Sequence, residues 1–259
     1  MPETDLGLLE AAAREAGEVA LARVGDHGAV REKPGLGPVS EVDLAIDRLL
    51  GQRLLAARPD YGWLSEESED GPERQAARLA ARRVFVVDPI DGTRAFLAGD
   101  RAWALSLAVV EAGRPLAALV HLPALRRTYA AAVGQGARLN GAPIAASART
   151  DLEGARVLAA ASQLAPAHWR GRAPAVDRHF RPSLAYRLCL VAEGEADAAL
   201  SFRDTWEWDA AAGDLIAREA GAVVTERTGE LPRYNRRQPL LAGLVAAAPG
   251  LHAGIIGRI

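Results

Sequence analysis

Apolar residues between positions 4 and 24 recur at helical spacing. Leu8, Leu9, Ala12, Ala16, Val19 and Ala20 share one face, and Gly25 stands just past the end. Residues 25–38 hold four glycines and two prolines and predict a loop. A second helix is expected from Ser40, with Val42, Ile46, Leu49, Leu50 and Leu54 on one face and Pro59 as its stop. The period then changes. The run Val84-Phe85-Val86-Val87 suits a buried strand, and residues 103–110, 116–122 and 128–133 follow as further strands. Turn signals at Ala112-Gly113 and Pro123 separate them, and Asn140-Gly141 favours one more antiparallel pairing. Two helices followed by a meander make residues 1–150 an α+β half.

Beyond position 150 the pattern alternates. Strands are expected at 155–161, 196–202, 222–225 and 241–247, with helices at 183–193 and at 208–220, the latter closed by Gly221. Residues 151–259 therefore read as an α/β half. No repeat or extended linker separates the halves, so they are expected to share an interface as one catalytic unit.

Composition narrows the function classes. A chain of 259 residues, 49% hydrophobic and 25% charged, is globular and can bury a core without disulfides or structural metals. With 31 basic against 33 acidic residues the net charge is −2, which argues against nucleic acid and anionic membranes as partners. The single cysteine, Cys189, allows neither an intramolecular disulfide nor a zinc site of paired cysteines. No run of about 18 apolar residues occurs, and the acidic start Met1-Pro2-Glu3-Thr4-Asp5 lacks a signal-peptide pattern. A cytoplasmic location is expected. Lys33 is the one lysine among the basic residues, and the scattered arginines read as compositional bias rather than a binding surface.

The chemistry concentrates in Asp88-Pro89-Ile90-Asp91-Gly92-Thr93, directly after the apolar strand. Pro89 holds Asp88 extended, so its carboxylate projects past the sheet. Asp91 adds a second hard oxygen ligand, and the Ile90 carbonyl can add a third. Gly92 leaves room for a ligand at the backbone. Thr93 can cap a short helix whose free N–H groups attract phosphate. Further acidic elements are Ser65-Glu66-Glu67-Ser68, Glu207-Trp208-Asp209 and Asp43. Singly, these read as a solvated charge run, a first-turn acid favoured by the helix dipole, and part of a cap on Ser40. Converging, they would repel by about 4 kcal/mol per close pair at an effective dielectric of 20, unless cations neutralised them. An all-oxygen set suits magnesium.

Asp-Pro-Ile-Asp-Gly-Thr, the upstream Glu-Glu-Ser and the downstream Trp-Asp…Ala-Gly together resemble the motifs of the inositol monophosphatase superfamily. Gly134-Gln135-Gly136-Ala137-Arg138-Leu139-Asn140-Gly141 is similar to the turn-and-strand segment of that family. The resemblance spans nearly the whole chain and implies a layered α-β-α-β-α sandwich, combining the α+β and α/β halves. It implies a phosphomonoesterase with two or three Mg2+ ions, acting on a small phosphorylated metabolite, and a homodimer. Glu66, Asp88, the Ile90 carbonyl, Asp91 and Asp209 would be the metal ligands, with Glu67 near them. Asp43 and Thr93 would orient and deprotonate the attacking water, with Glu66 also in the catalytic set. Gly92 and Thr93 would hold the phosphate through their N–H groups, so Glu66, Ile90, Asp91, Gly92, Thr93 and Asp209 border the substrate. In-line attack of water on phosphorus needs no phosphoenzyme, and His27, His121, His168, His179 and His252 are expected to be structural.

For the substrate, Ser183-Leu184-Ala185-Tyr186-Arg187, the Phe202-Arg203 region and the turn after Thr93 should complete the pocket. Glu207-Trp208-Asp209 and the Ser-Leu start resemble the 3'(2'),5'-bisphosphate nucleotidase branch, with Arg94, Arg187 and Arg203 as candidates for a second phosphate. The Gly134–Gly141 segment is instead written as in inositol monophosphatases, so inositol-1-monophosphatase is the alternative. A third reading is a regulatory RNA or transcription-machinery binder of the same fold.

Overall fold

The computed structural model describes residues 3–33 and 37–259. Thr4 caps the first helix, α1 (Asp5–Ala22), accepting from the Gly7 N–H. The expected loop at 25–38 is in part a hairpin: β1 (Val30–Lys33) pairs antiparallel with β2 (Gly37–Ser40). Its polar, exposed β1 carries no apolar alternation that would have marked a strand. Ser40 then caps α2 (Glu41–Ala57) in a reciprocal capping box with Asp43.

Two elements between Pro59 and Val84 escape the sequence pattern, β3 (Gly62–Ser65) and α3 (Pro72–Ala80). β3 is four residues of mixed polarity and α3 is short and largely polar, so neither carries a readable period. The strands β4 (Arg83–Asp91), β5 (Ala104–Glu111), β6 (Arg114–Leu122), β7 (Arg127–Ala132), β8 (Ala137–Leu139) and β9 (Ala142–Pro143) complete a seven-stranded sheet with β3. A five-residue helix, α4 (Thr93–Leu97), sits between β4 and β5. β3 and β4 are parallel, and every other pair is antiparallel.

The second sheet has five strands: β10 (Arg156–Leu158), β11 (Asp177–His179), β12 (Ala198–Ser201), β14 (Val223–Thr225) and β16 (Leu244–Ala247), in the order β11-β10-β12-β16-β14. Between them run α5 (Leu184–Ala192), a small ribbon of β13 (Thr205–Trp206) with β15 (Leu240–Leu241), and α6 (Glu207–Glu219). The expected strand at 241–247 is broken at Gly243, whose φ of +71° and close approach to the Ser201 carbonyl require glycine. The expected strand at 155–161 stops at Leu158 and gives way to a 3₁₀ turn from Ala161. The chain ends in α7 (Pro249–Ile256), which the sequence reading did not assign.

Alternation along β4 explains the layers. Phe85 and Val87 face a core shared with Leu9, Ala16, Ile46 and Leu50 of α1 and α2. Val84 and Val86 face the opposite core, with Leu188 of α5, Leu215 of α6 and Ala246 of the second sheet. A strand buried on both sides reads as the continuous apolar run seen in the sequence. Beyond the second sheet, Val157, Leu200 and Val245 pack on Leu251 and Ile255 of α7. The order is α1/α2, large sheet, α5/α6, small sheet, α7: the expected α-β-α-β-α sandwich. Among the described residues no helix is long and apolar enough to cross a membrane.

Candidate active site

Parallel pairing of β3 with β4 brings the first two acidic segments together. Ser65 is in register with Val87, and the Glu66 N–H donates to the Val87 carbonyl at 3.2 Å, so Glu66 leaves the sheet beside Asp88. From β4 the register shifts between Asp88 and Asp91, at the Pro89-Ile90 step, and Asp88 turns back to accept the Ile90 N–H at 2.9 Å. Asp209 arrives on the first turn of α6, where the Ser106 hydroxyl of β5 holds the Trp208 carbonyl at 2.9 Å.

Carboxylate oxygens of Glu66, Asp88 and Asp209 lie within 4.8 Å of one another. Burial pushes the Asp88 carboxyl well above its ordinary range, with Glu66, Asp91 and Asp209 adding like charge. Asp209 is raised in the same way, by burial and then by Asp91 and Glu66. Asp91 stands beside this group, but three donors already bind it: the Ser183 hydroxyl at 2.7 Å, the Ala185 N–H at 2.6 Å and the Leu184 N–H at 3.2 Å. Burial raises its pKa and these bonds oppose the rise. The Ile90 carbonyl accepts from the Thr93 hydroxyl at 3.1 Å.

Thr93 is the first residue of α4 rather than its cap. Gly92 holds the cap position at φ +96°, a conformation that favours glycine, and makes no side-chain cap. The Thr93 hydroxyl is thereby free to reach the Asp43 carboxylate at 3.2 Å. Asp43 also binds the Ser40 hydroxyl and N–H, so the cap reading and the site reading hold together. Burial raises its pKa, and the Ser40 and Thr93 bonds oppose the rise.

Lys33 is the residue that sequence reasoning passed over. Its ammonium reaches Glu66 at 2.9 Å and Glu67 at 2.8 Å, and Glu67 sits at a pKa of about 7 because burial outweighs that bond. The available signal was its identity: one lysine in a chain that uses arginine everywhere else. Its ammonium is a compact point charge on a flexible stem, with three donors to share between the two carboxylates. Glu207, next to Trp208, has a different task. Fully buried, it accepts the N–H groups of Asn235 and Arg236 and so ties a distant loop to the start of α6.

Lys33, Glu66, Asp88, Ile90, Asp91, Gly92, Thr93 and Asp209 border one pocket of about 870 Å³, together with Arg94, Phe180, Leu184, Arg187, Arg203, Asp204, Trp206 and Trp208, whereas Asp43, Glu67 and Glu207 are not part of its lining. Of the expected pocket segment, Leu184 and Arg187 reach the cavity, whereas Ser183 and Ala185 hold Asp91. Phe202 packs on His168 and Trp169, and its neighbour Arg203 faces the pocket. None of the five histidines lines it.

The Inositol monophosphatase family model matches residues 2–259. The inositol-1-monophosphatase SuhB of Mycobacterium tuberculosis is 37% identical, over 92% of this chain and 84% of the relative. The Nus factor SuhB of Xylella fastidiosa is 30% identical, over 99% of this chain and 96% of the relative. The crystal structure of the extragenic suppressor protein suhB from Bartonella henselae superimposes with a TM-score of 0.80 at 27% identity, covering 96% of each chain. Matched over almost its entire length, the chain belongs to the inositol monophosphatase family, metal-dependent phosphatases that hydrolyse phosphoric monoesters.

Proposed function

We propose that the pocket takes a small metabolite carrying two phosphates, and that the substrate is adenosine 3',5'-bisphosphate, cleaved to AMP with magnesium. Arg187 carries this reading. It is 6% exposed and lines the pocket, yet the only hydrogen bond of its guanidinium among the described residues is a 3.4 Å contact from Nε to the Ser183 carbonyl. Arg94 and Arg203 border the same space, and no ion pair to a carboxylate involves any of the three among the described residues. Burial lowers the Arg187 pKa, Asp91 opposes this, and nearby Arg203 lowers it further. An entering phosphate would meet guanidinium donors whose fork matches its oxygens.

Glu66, Asp88 and Asp209, with Asp91 and the Ile90 carbonyl beside them, would hold the ions. Buried carboxylates this close, in an all-oxygen donor set, fit two or three magnesium ions. Magnesium supplies positive charge that neutralises the phosphate and acidifies water at the site. The Thr93 hydroxyl orients the attacking water, and Asp43, desolvated and hence more basic, draws the proton through it. The N–H groups of Gly92 and Thr93, which open α4 and have no partner within the helix, hold a phosphate oxygen. Residues 1–150 supply these groups and residues 151–259 supply Asp209, Arg187 and Arg203, so the two halves act as one catalytic unit.

Inositol 1-phosphate is the second reading, and Asp204 favours it. Its exposed carboxylate lines the pocket one residue beyond Arg203, where it can accept sugar hydroxyls. The test is phosphate release with magnesium from adenosine 3',5'-bisphosphate, inositol 1-phosphate, histidinol phosphate and fructose 1,6-bisphosphate. The bisphosphate reading expects the adenosine compound to lead and Arg187→Met to remove the lead. Preference for inositol phosphate would install the second reading. For a regulatory role of the kind the Nus-factor name describes, Asp91→Asn should leave the cellular phenotype intact while turnover is lost.

A further inference from the structure

The indoles of Trp206 and Trp208 stack in parallel, with centroids 4.8 Å apart and planes 4° from coplanar. Both line the pocket that holds the carboxylate cluster. Trp208 is buried at 6% exposure, packed into the core of α5 and α6. Trp206 is only half-buried, and its backbone is pinned by the pairing of β13 with β15 at Leu240. Trp206 packs against the edge of that core through Trp208, and the same ring forms part of the wall of a cavity rich in charged side chains. A further aromatic, Phe180, is 49% exposed at the same pocket and carries the Arg187 guanidinium 5.6 Å above its ring.

We infer that the Trp206 face turned away from Trp208 is a stacking platform for a planar base, and that Trp206 makes the pocket selective for nucleotides over polyol and sugar phosphates. The inference rests on the reading of the site as a bisphosphate pocket and adds the group that recognises the rest of the substrate. Stacking suits this role physically. Offset parallel rings are a favoured aromatic arrangement, and Trp208 behind Trp206 fixes the platform before a base arrives. Every nucleobase has such a face, so the platform selects for planarity rather than for one base. A cavity of about 870 Å³ has room for a base and two phosphates, towards the upper end of the usual range for small-molecule sites. Inositol or a ketose phosphate offers no flat face, so the Trp206 contact would be wasted on it.

The experiment compares kcat/KM for adenosine 3',5'-bisphosphate and fructose 1,6-bisphosphate in the unaltered protein, in Trp206→Leu and in Trp206→Phe, all with magnesium. The expected result is a fall of about tenfold in the adenosine-to-fructose ratio in Trp206→Leu, taken mostly through KM, with most of the ratio kept in Trp206→Phe. An unmoved ratio, or equal recovery failure in both variants, overturns the platform. Should the unaltered protein release no phosphate from the adenosine compound, the bisphosphate reading falls, and binding then judges the platform alone. Calorimetric titration with AMP and with ribose 5-phosphate should show tighter binding of AMP that Trp206→Leu abolishes, and equal binding of the two overturns the inference.

Discussion

The Ser183 hydroxyl donates to Asp91 at 2.7 Å, joining residues 92 positions apart: the end of β4 and the cap of α5. The Ala185 and Leu184 N–H groups bind the same carboxylate, so Asp91 serves the N-terminus of α5 while it faces the carboxylate cluster. A negative charge there is favoured by the unpaired N–H groups of the helix start. Ser183 also caps α5 itself, accepting from the Tyr186 N–H. Ser183→Ala should therefore cost about 2 kcal/mol, combining a lost cap with a lost charge-assisted bond. Asp91→Asn puts an amide among N–H donors and should cost a similar amount while reducing turnover at least about a hundredfold. Urea unfolding and phosphate release with magnesium measure the two effects separately.

Removing a carboxylate from the cluster should have the opposite effect on the metal-free chain. Burial and four like charges, Glu66, Asp91, Asp209 and Glu67, disfavour ionised Asp88, so Asp88→Asn should be more stable than the unaltered protein in chelator, on the order of 1–2 kcal/mol. Magnesium should reverse the ranking. An ion that binds only the folded state raises its melting temperature, and the variant should lose most of that rise. Thermal melts in chelator and in millimolar magnesium give both comparisons. A variant less stable than the unaltered protein in chelator would refute the account of mutual repulsion.

Lys33 belongs to the same balance. Its ammonium is the cation on Glu66 and Glu67, whose side chains are 11% and 2% exposed. Lys33→Met leaves both without it and should destabilise the metal-free chain by about 2 kcal/mol. With magnesium present the deficit should shrink, because another cation then faces Glu66. The magnesium-induced rise in melting temperature should thus be larger in Lys33→Met than in the unaltered protein.

Parts of this arrangement were legible in the sequence for identifiable reasons. The strand at 84–87 is buried on both faces and so is written as an unbroken apolar run, and Pro89 marks where its carboxylates leave the sheet. Ser40 and Asp43 carry the spacing of a capping box. Convergence was not legible. The parallel step from β3 to β4 puts Glu66 beside Asp88, yet β3 is four residues of mixed polarity, too short to carry a period. The β1–β2 hairpin that delivers Lys33 lies in a glycine- and proline-rich stretch whose exposed residues have no reason to alternate. Asp91's second role depends on a helix start 92 positions away, which no local pattern records.

A pH effect follows from a buried histidine far from the pocket. His252 is 9% exposed, bonds Thr225 at 2.9 Å, and has its pKa lowered by burial and then by Arg218. Well above the unfolded value of about 6.5 both states are neutral, and the contribution of His252 to stability is complete. As pH falls, the unfolded chain takes up the proton first, so stability drops until the lower folded pKa is passed. His252→Gln should lose less stability than the unaltered protein between about pH 7.5 and pH 5.5. Urea unfolding at the two pH values, compared between the proteins, isolates this residue from the carboxylates, and equal losses would contradict the assignment.

Two glycines in helices should respond to alanine with opposite signs. Intrinsic propensity favours Gly→Ala in a helix by about 1 kcal/mol, wherever the added methyl group has room. In α7, a Cβ at Gly254 would meet no atom within 4 Å, so Gly254→Ala should stabilise by about that amount. In α6, a Cβ at Gly213 would lie 2.6 Å from Leu188 Cδ1 and 2.7 Å from its Cβ. Leu188 is fully buried in the core between the two sheets and has no open space to yield into. Overpacking of that kind costs about 1–3 kcal/mol and exceeds the propensity gain, so Gly213→Ala should be net destabilising. The two variants, unfolded in urea side by side, test whether the close seat of α6 on α5, which carries Asp209 into the cluster, depends on glycine at position 213.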